Sequence, residues 1–147
     1  MADLKTELFE LVEAKELDAL FGISDEVEKT LKRAELNLAI AERALPADQS
    51  AALALAYDAA RKALSALLLQ LGYRVHERGG SHGTFVRITR LSCLDQAAWS
   101  EFEQLKKMRN KVEYGAFQEE YSLDFVSQAI AQSRLMVADA RRAISAL

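Results

Sequence analysis

The sequence predicts an all-α protein, an up-and-down helical bundle of about four to five long helices plus a short one. Six glycines and a single proline, Pro46, leave few helix-breaking positions in 147 residues, and alanine and leucine are abundant. Apolar residues recur at steps of three and four, the period of a helix face. The length fits one domain, 1–147, with residues 1–22 as an N-terminal helical extension.

Three helices are predicted in the N-terminal half. The first covers about residues 3–20, and the second follows a Ser24 cap and ends before Pro46. The third, about residues 48–71, is apolar on almost all sides and is therefore predicted to be central in the bundle. Its one narrow polar stripe consists of Asp58, Arg61, Lys62 and Ser65.

The C-terminal half is predicted to contain a loop and three further helices. Three glycines within residues 73–83 predict the loop. Residues 84–91 include β-branched side chains that favour a strand, but the helical surroundings favour a short helix, which we expect. A long helix is predicted from an Asp95 cap to Tyr114, and the last helix starts near Ser122.

Composition excludes several classes of protein. The longest apolar stretch is too short to cross a bilayer, and the N-terminus does not resemble a signal peptide, so we expect a cytoplasmic protein without membrane contact. Cys93 is the only cysteine, which excludes internal disulfides and multi-cysteine metal clusters. His76 and His82 are the only histidines, so neither a metal nor another cofactor is expected.

Basic residues concentrate in two segments although the net charge is −3. They are Arg74, Arg78, Arg87 and Arg90 in the first segment and Lys106, Lys107, Arg109 and Lys111 in the second. If the two segments meet in space, they form a local basic surface. The alternative is two separate solvated faces, the usual location of such charges.

Arg109 occupies a position where helical spacing predicts an apolar residue. The face in question contains Ala98, Phe102, Leu105, Arg109 and Val112. A guanidinium is rarely buried without partners. Asn110 and Tyr114 share a neighbouring face, and Glu113 lies one turn after Arg109. In a purely structural interpretation, Arg109 snorkels to solvent and pairs with Glu113 near the helix end at Gly115.

Three blocks, residues 56–75, 81–83 and 107–115, resemble a HEPN domain (higher eukaryotes and prokaryotes nucleotide-binding) over about residues 25–145. The resemblance implies a helical bundle that dimerises and places the arginine motif of both subunits at a shared cleft. Many members of that family are metal-independent ribonucleases of toxin–antitoxin, phage-defence or RNA-processing systems. They use an arginine, a polar residue and, a few positions later, a histidine.

The motif carries over to this chain only in part. Arg109 matches the arginine and Asn110 the polar residue, but Tyr114 stands where the histidine is expected. Tyrosine, with an ordinary pKa near 10, is a poor proton acceptor at neutral pH, and His82 is the obvious substitute. A related branch is modified by a nucleotidyltransferase on a tyrosine two positions beyond the histidine. This chain has Ala116 there, so that modification does not carry over.

We therefore expect a homodimeric component of a prokaryotic toxin–antitoxin or defence system. It would bind RNA or a nucleotide at a cleft of Arg109, Asn110 and Tyr114, with weak or absent nuclease activity, and would meet a nucleotidyltransferase or antitoxin partner. One alternative is an active metal-independent endoribonuclease, with Arg109 stabilising charge and His82 or Tyr114 transferring the proton. The other is a non-catalytic dimerising adaptor whose arginine stabilises the interface.

Overall fold

The computed structural model describes residues 3–22, 24–76, 81–114 and 121–147, apart from the side chains of residues 81–82 and 112–114. The predicted all-α bundle is confirmed, with one small sheet added. The elements are α1 (Leu4–Glu13), β1 (Leu17–Ala19), α2 (Val27–Ala44), α3 (Gln49–Leu71), β2 (Tyr73–Val75), α4 (Ser81–Ile88), α5 (Gln96–Trp99), α6 (Phe102–Tyr114) and α7 (Leu123–Ser145).

Helix α3 is the centre of the bundle, as its apolar surface predicts. It packs against α2, α6 and α7, and six of its alanines are fully buried. The Asp48 carboxylate caps its first turn by accepting from the Ala51 N–H at 3.0 Å. Gly72, at φ 95°, ends it in the left-handed conformation that glycine adopts without strain. No described helix, α3 included, has the length and apolar character needed to cross a membrane.

The prediction of one helix over residues 3–20 is wrong in its second half. Helix α1 ends at Glu13, and β1 follows and pairs antiparallel with β2, so that Leu17 faces Val75. The turn between α1 and β1 places Lys15 at φ 60°. In this turn the Glu16 N–H donates to the Leu11 carbonyl at 2.9 Å. Pairing with a strand more than fifty residues away outweighs the local preference for helix.

The predicted loop over residues 73–83 is wrong at both ends. Its first residues form β2, and its last residues begin α4, while residues 77–80 lie outside the description. The short helix predicted at residues 84–91 is confirmed in type but is shifted toward the N-terminus, since α4 ends at Ile88. The two strands occupy backbone donors and acceptors that a loop would leave to water.

The long helix predicted from Asp95 to Tyr114 is divided into α5 and α6 at residues 100–101. The predicted Asp95 cap is confirmed, because its carboxylate accepts from the Ala97 N–H at 3.1 Å. The break lets the buried Trp99 indole donate to the Asp139 carboxylate of α7 at 2.9 Å. This hydrogen bond attaches α5 to α7.

Candidate functional site

Arg109 extends from α6 toward α3, and only 23% of its side chain is exposed. Its Cζ lies 5.6 Å from the centroid of the Tyr57 ring, and its Nη2 lies 3.9 Å from Oδ1 of Asp58. Its Nη1 donates to Oδ1 of Asn110 at 3.4 Å. These neighbours come from two helices, so the planar guanidinium is oriented by a ring on α3 and by an amide on its own helix.

Tyr57 and Phe102 form an aromatic support beneath this guanidinium. Tyr57 is 5% exposed, and its ring centroid lies 5.5 Å from that of Phe102. Phe102 is 1% exposed and also contacts Trp99 at 6.0 Å between centroids. The surface that holds Arg109 is therefore part of the hydrophobic core and should be stiff.

Burial raises the pKa of the Tyr57 phenol, and the positive charges of Arg61 and Arg109 oppose this effect only partly. A phenol whose pKa is higher in the folded chain stabilises the fold fully below its unfolded pKa, and that contribution is lost as pH rises further.

We expect the free energy of unfolding to fall as the pH rises above about 10, in part because Tyr57 must ionise. Urea unfolding at neutral and alkaline pH measures this loss. The Tyr57→Phe variant keeps the ring but cannot ionise, so it should lose less stability than wild type over the same range. An equal loss in both proteins would contradict the assignment.

Asp58 lies between two arginines. Its Oδ1 is 3.9 Å from Nη2 of Arg109 and 3.9 Å from Nε of Arg61, distances typical of ion pairs and too long for hydrogen bonds. The Cζ of Arg61 in turn lies 5.9 Å from the Phe85 ring centroid of α4. Sequence reasoning identified Asp58 and Arg61 only as a polar stripe. A polar stripe on an otherwise apolar, central helix indicates that these residues face a charged partner, and this was the sequence feature from which the contact with Arg109 could have been predicted.

The two basic segments meet in space, as one of the two sequence interpretations predicted. Helices α4 and α6 enclose a half-open cleft of about 330 Å³. Four basic side chains and one carboxylate line it, and these are Arg87, Arg90, Lys106, Lys107 and Glu103. Asn110 also lines this cleft, so the amide that contacts Arg109 belongs to both features. Arg74 is exposed on β2, and Arg78 lies outside the described residues.

Arg87 is held at the cleft wall by the N-terminal segment. Its Nε donates to both carboxylate oxygens of Glu16, at 2.7 and 2.8 Å, and the Glu16 side chain is only 12% exposed. This ion pair raises the pKa of Arg87 above its ordinary value. A Cβ at Gly83 would lie 3.3 Å from Nη1 of Arg87, so the glycine leaves space for the guanidinium.

A second and larger cleft, about 540 Å³, lies between α6 and α7. Its described lining is made of apolar, amide and one acidic side chain, with Leu105, Met108 and Phe125 as the large apolar members. No basic side chain contributes to that lining. It therefore fits an anion less well than the cleft between α4 and α6.

Tyr114 is the last residue of α6, and His82 is the second residue of α4. Their side chains, and that of Glu113, lie outside the described residues, so the predicted pairing of Arg109 with Glu113 stays a prediction. The other histidine, His76, directly follows β2, and its Nδ1 lies 2.8 Å from Oδ1 of Asp18 in β1. Among the described side chains, no group of three histidine, cysteine or acidic residues could hold a metal ion.

Comparison with known proteins identifies the family of this bundle. A search of curated proteins finds no match to the chain. The HEPN domain family, in contrast, matches residues 27–143, which include α2 to α6, most of α7, Arg109 and both walls of the basic cleft. Helix α1 and strand β1 precede the matched region. With four fifths of its length matched, the chain belongs to the HEPN domain family.

Proposed function

We propose that this chain is a homodimeric HEPN domain, preceded by an N-terminal extension at residues 1–22, that binds RNA or a nucleotide around Arg109, Asn110 and Tyr114. The observation that carries the proposal is the oriented guanidinium of Arg109, three quarters buried against Tyr57 and next to an amide on the wall of a basic cleft. An arginine preoriented in this way recognises phosphate through its planar fork.

The proposal places the protein in a prokaryotic toxin–antitoxin or defence system, with a nucleotidyltransferase or antitoxin as its partner. Family membership supports this role. Cleavage is expected to be weak or absent, because Tyr114 stands where the family's nucleases have histidine. Metal-independent RNA cleavage needs a group that exchanges a proton near neutral pH, and an ordinary tyrosine does not.

One observation favours an active endoribonuclease as a second candidate. Gly83 lines the basic cleft together with Asn110, and His82 directly precedes Gly83 in the chain. His82 is thus adjacent in the chain to a residue of the cleft wall. In this alternative, Arg109 stabilises charge on the phosphate and His82 or Tyr114 transfers the proton, without a metal.

Replacing Arg109 by alanine is expected to weaken binding of a short RNA roughly tenfold or more, because a charge-assisted hydrogen bond is worth about 1.5–3 kcal/mol. Fluorescence anisotropy with labelled RNA measures the affinity of wild type and variant. Arg43→Ala, on the exposed surface of α2, is the matched control and should bind as wild type does. Unchanged affinity in Arg109→Ala would eliminate the phosphate-binding role of this residue.

The same proteins separate the alternatives. Wild type incubated with mixed RNA in EDTA should leave the RNA intact. Cleavage that is abolished in both Arg109→Ala and His82→Ala would instead establish the endoribonuclease. Light scattering tests the adaptor alternative by measuring whether each protein is a dimer. If wild type is a dimer, Arg109→Ala is a monomer and neither of them binds RNA, then Arg109 stabilises the dimer interface of an adaptor.

A further inference from the structure

The cleft between α4 and α6 has side chains suited to one class of ligand. Arg87 of α4 and Arg90, two residues beyond the end of α4, line one wall, and Lys106 and Lys107 of α6 line the other. Glu103 is the one carboxylate in this described lining, and Glu16 pairs with Arg87 from outside it. None of its described lining residues is aromatic, so this described lining offers no ring on which a base could stack. Its chemistry fits phosphate groups rather than bases.

The cleft is also continuous with the Arg109 site. Glu103, Lys106, Lys107 and Asn110 follow the spacing of one helix face, so they form a single row along α6. Asn110 ends this row and accepts the hydrogen bond from Arg109. A chain of phosphates that reaches Arg109 past Asn110 can therefore continue along the row toward Lys107 and Lys106.

We infer that the α4–α6 cleft binds the phosphate backbone of an RNA strand, one nucleotide of which lies at Arg109 and Asn110. The inference rests on the proposed function and specifies its ligand as a strand with several phosphates rather than a single nucleotide. At about 330 Å³, the cleft lies at the lower end of the roughly 300–1,000 Å³ typical of ligand pockets. Because its contacts reach the backbone, binding depends on salt and only weakly on base sequence.

Arg90 and Lys107 are the residues on which to test the inference. Both are exposed at the cleft, one on each wall. Arg87 is less suitable, because its bidentate pair with Glu16 connects α4 to the N-terminal segment and its replacement would also disturb the fold. The matched control reverses two exposed cations on α2, Lys29 and Arg43, which changes the net charge of the chain by the same amount.

The experiment titrates a short fluorescein-labelled uridine oligoribonucleotide with the full chain at salt concentrations from about 50 to about 200 mM. The double variant Arg90→Glu and Lys107→Glu should bind roughly tenfold or more weakly than wild type at low salt, and its logarithmic salt dependence should be flatter by about 0.7 for each lost contact. Lys29→Glu with Arg43→Glu should keep the wild-type slope. Glu103→Gln, which removes the carboxylate from the cleft, should bind more tightly. Circular dichroism confirms that each variant is folded.

The outcomes separate this inference from the proposed function. If wild type binds and the cleft variant binds equally well with the same slope, the inference is overturned and Arg109 can still be the site. Equal weakening by both charge-reversed pairs also overturns it, because net charge alone would explain the effect. If the cleft variant loses affinity while Arg109→Ala does not, the proposed role of Arg109 fails and the cleft remains an RNA site. No binding by wild type overturns both.

Discussion

Replacing Asp139 by alanine is expected to lower the free energy of unfolding by about 2–5 kcal/mol, because two N–H donors lose their acceptor at about 1–3 kcal/mol each. Asp139 is 8% exposed and accepts three hydrogen bonds. The donors are the Asp95 N–H at 2.8 Å, the Trp99 indole at 2.9 Å and Nε of Arg142 at 2.7 Å. Alanine would leave the buried indole N–H without this acceptor and remove the link between α5 and α7.

Urea unfolding monitored by circular dichroism measures the effect. The control is Asp124→Ala in the first turn of the same helix, where the carboxylate is exposed and interacts chiefly with the helix dipole. Asp124→Ala should lower the free energy of unfolding by less than about 1 kcal/mol. If Asp139→Ala loses no more stability than this control, the three hydrogen bonds do not hold α5 in place.

The second large effect is expected for Phe102→Ala, which should destabilise the fold by about 3–5 kcal/mol. Phe102 is 1% exposed and lies between the rings of Tyr57 and Trp99, at the first turn of α6. Its removal leaves a cavity where α6 meets α3. Since Tyr57 supports the Arg109 guanidinium, the same cavity should loosen the site.

Phe9→Ala is the matched control for this substitution. Phe9 lies on α1 and is 61% exposed, so its removal should cost less than about 1 kcal/mol. Thermal or urea unfolding of the two variants gives the comparison. A Phe102→Ala protein as stable as Phe9→Ala would show that the aromatic support contributes little to holding α6 on α3.

Local sequence predicted the helices where their ends carry recognisable chemistry. Asp48, Asp95 and Ser122 cap helices through side-chain oxygens, and Gly72 ends α3 at a positive φ. These signals lie within a few residues of the structure they determine, so periodicity and capping suffice to find them.

Two of the errors involve partners that are distant in the chain. Strand β1 exists because β2 pairs with it, and neither three-residue strand has a strong pattern of its own. At the break between α5 and α6, Trp99 donates to Asp139, which lies forty residues further along the chain. No local window contains both members of either pair.

In the candidate site, too, local features could be predicted and contacts between distant segments could not. The misplaced charge of Arg109 predicted that it needs partners, and the resemblance to the HEPN family pointed to Asn110 as the polar residue of the motif. Tyr57 and Asp58 were not predicted as partners, because only the packing of α6 on α3 brings them to the guanidinium. The meeting of the two basic segments could be stated in advance only as one of two possibilities.

The pairing of β1 with β2 limits how far the N-terminus of this protein can be truncated. The family match begins at residue 27, after α1 and β1. A chain trimmed to that boundary would lose the strand partner of β2, the buried Leu8 and Leu17, and the carboxylate that holds Arg87. It would carry an open strand edge, the kind of surface through which chains aggregate. We therefore expect a chain trimmed to residue 27 to be less stable than the full chain, although it keeps the start of the region that matches the family.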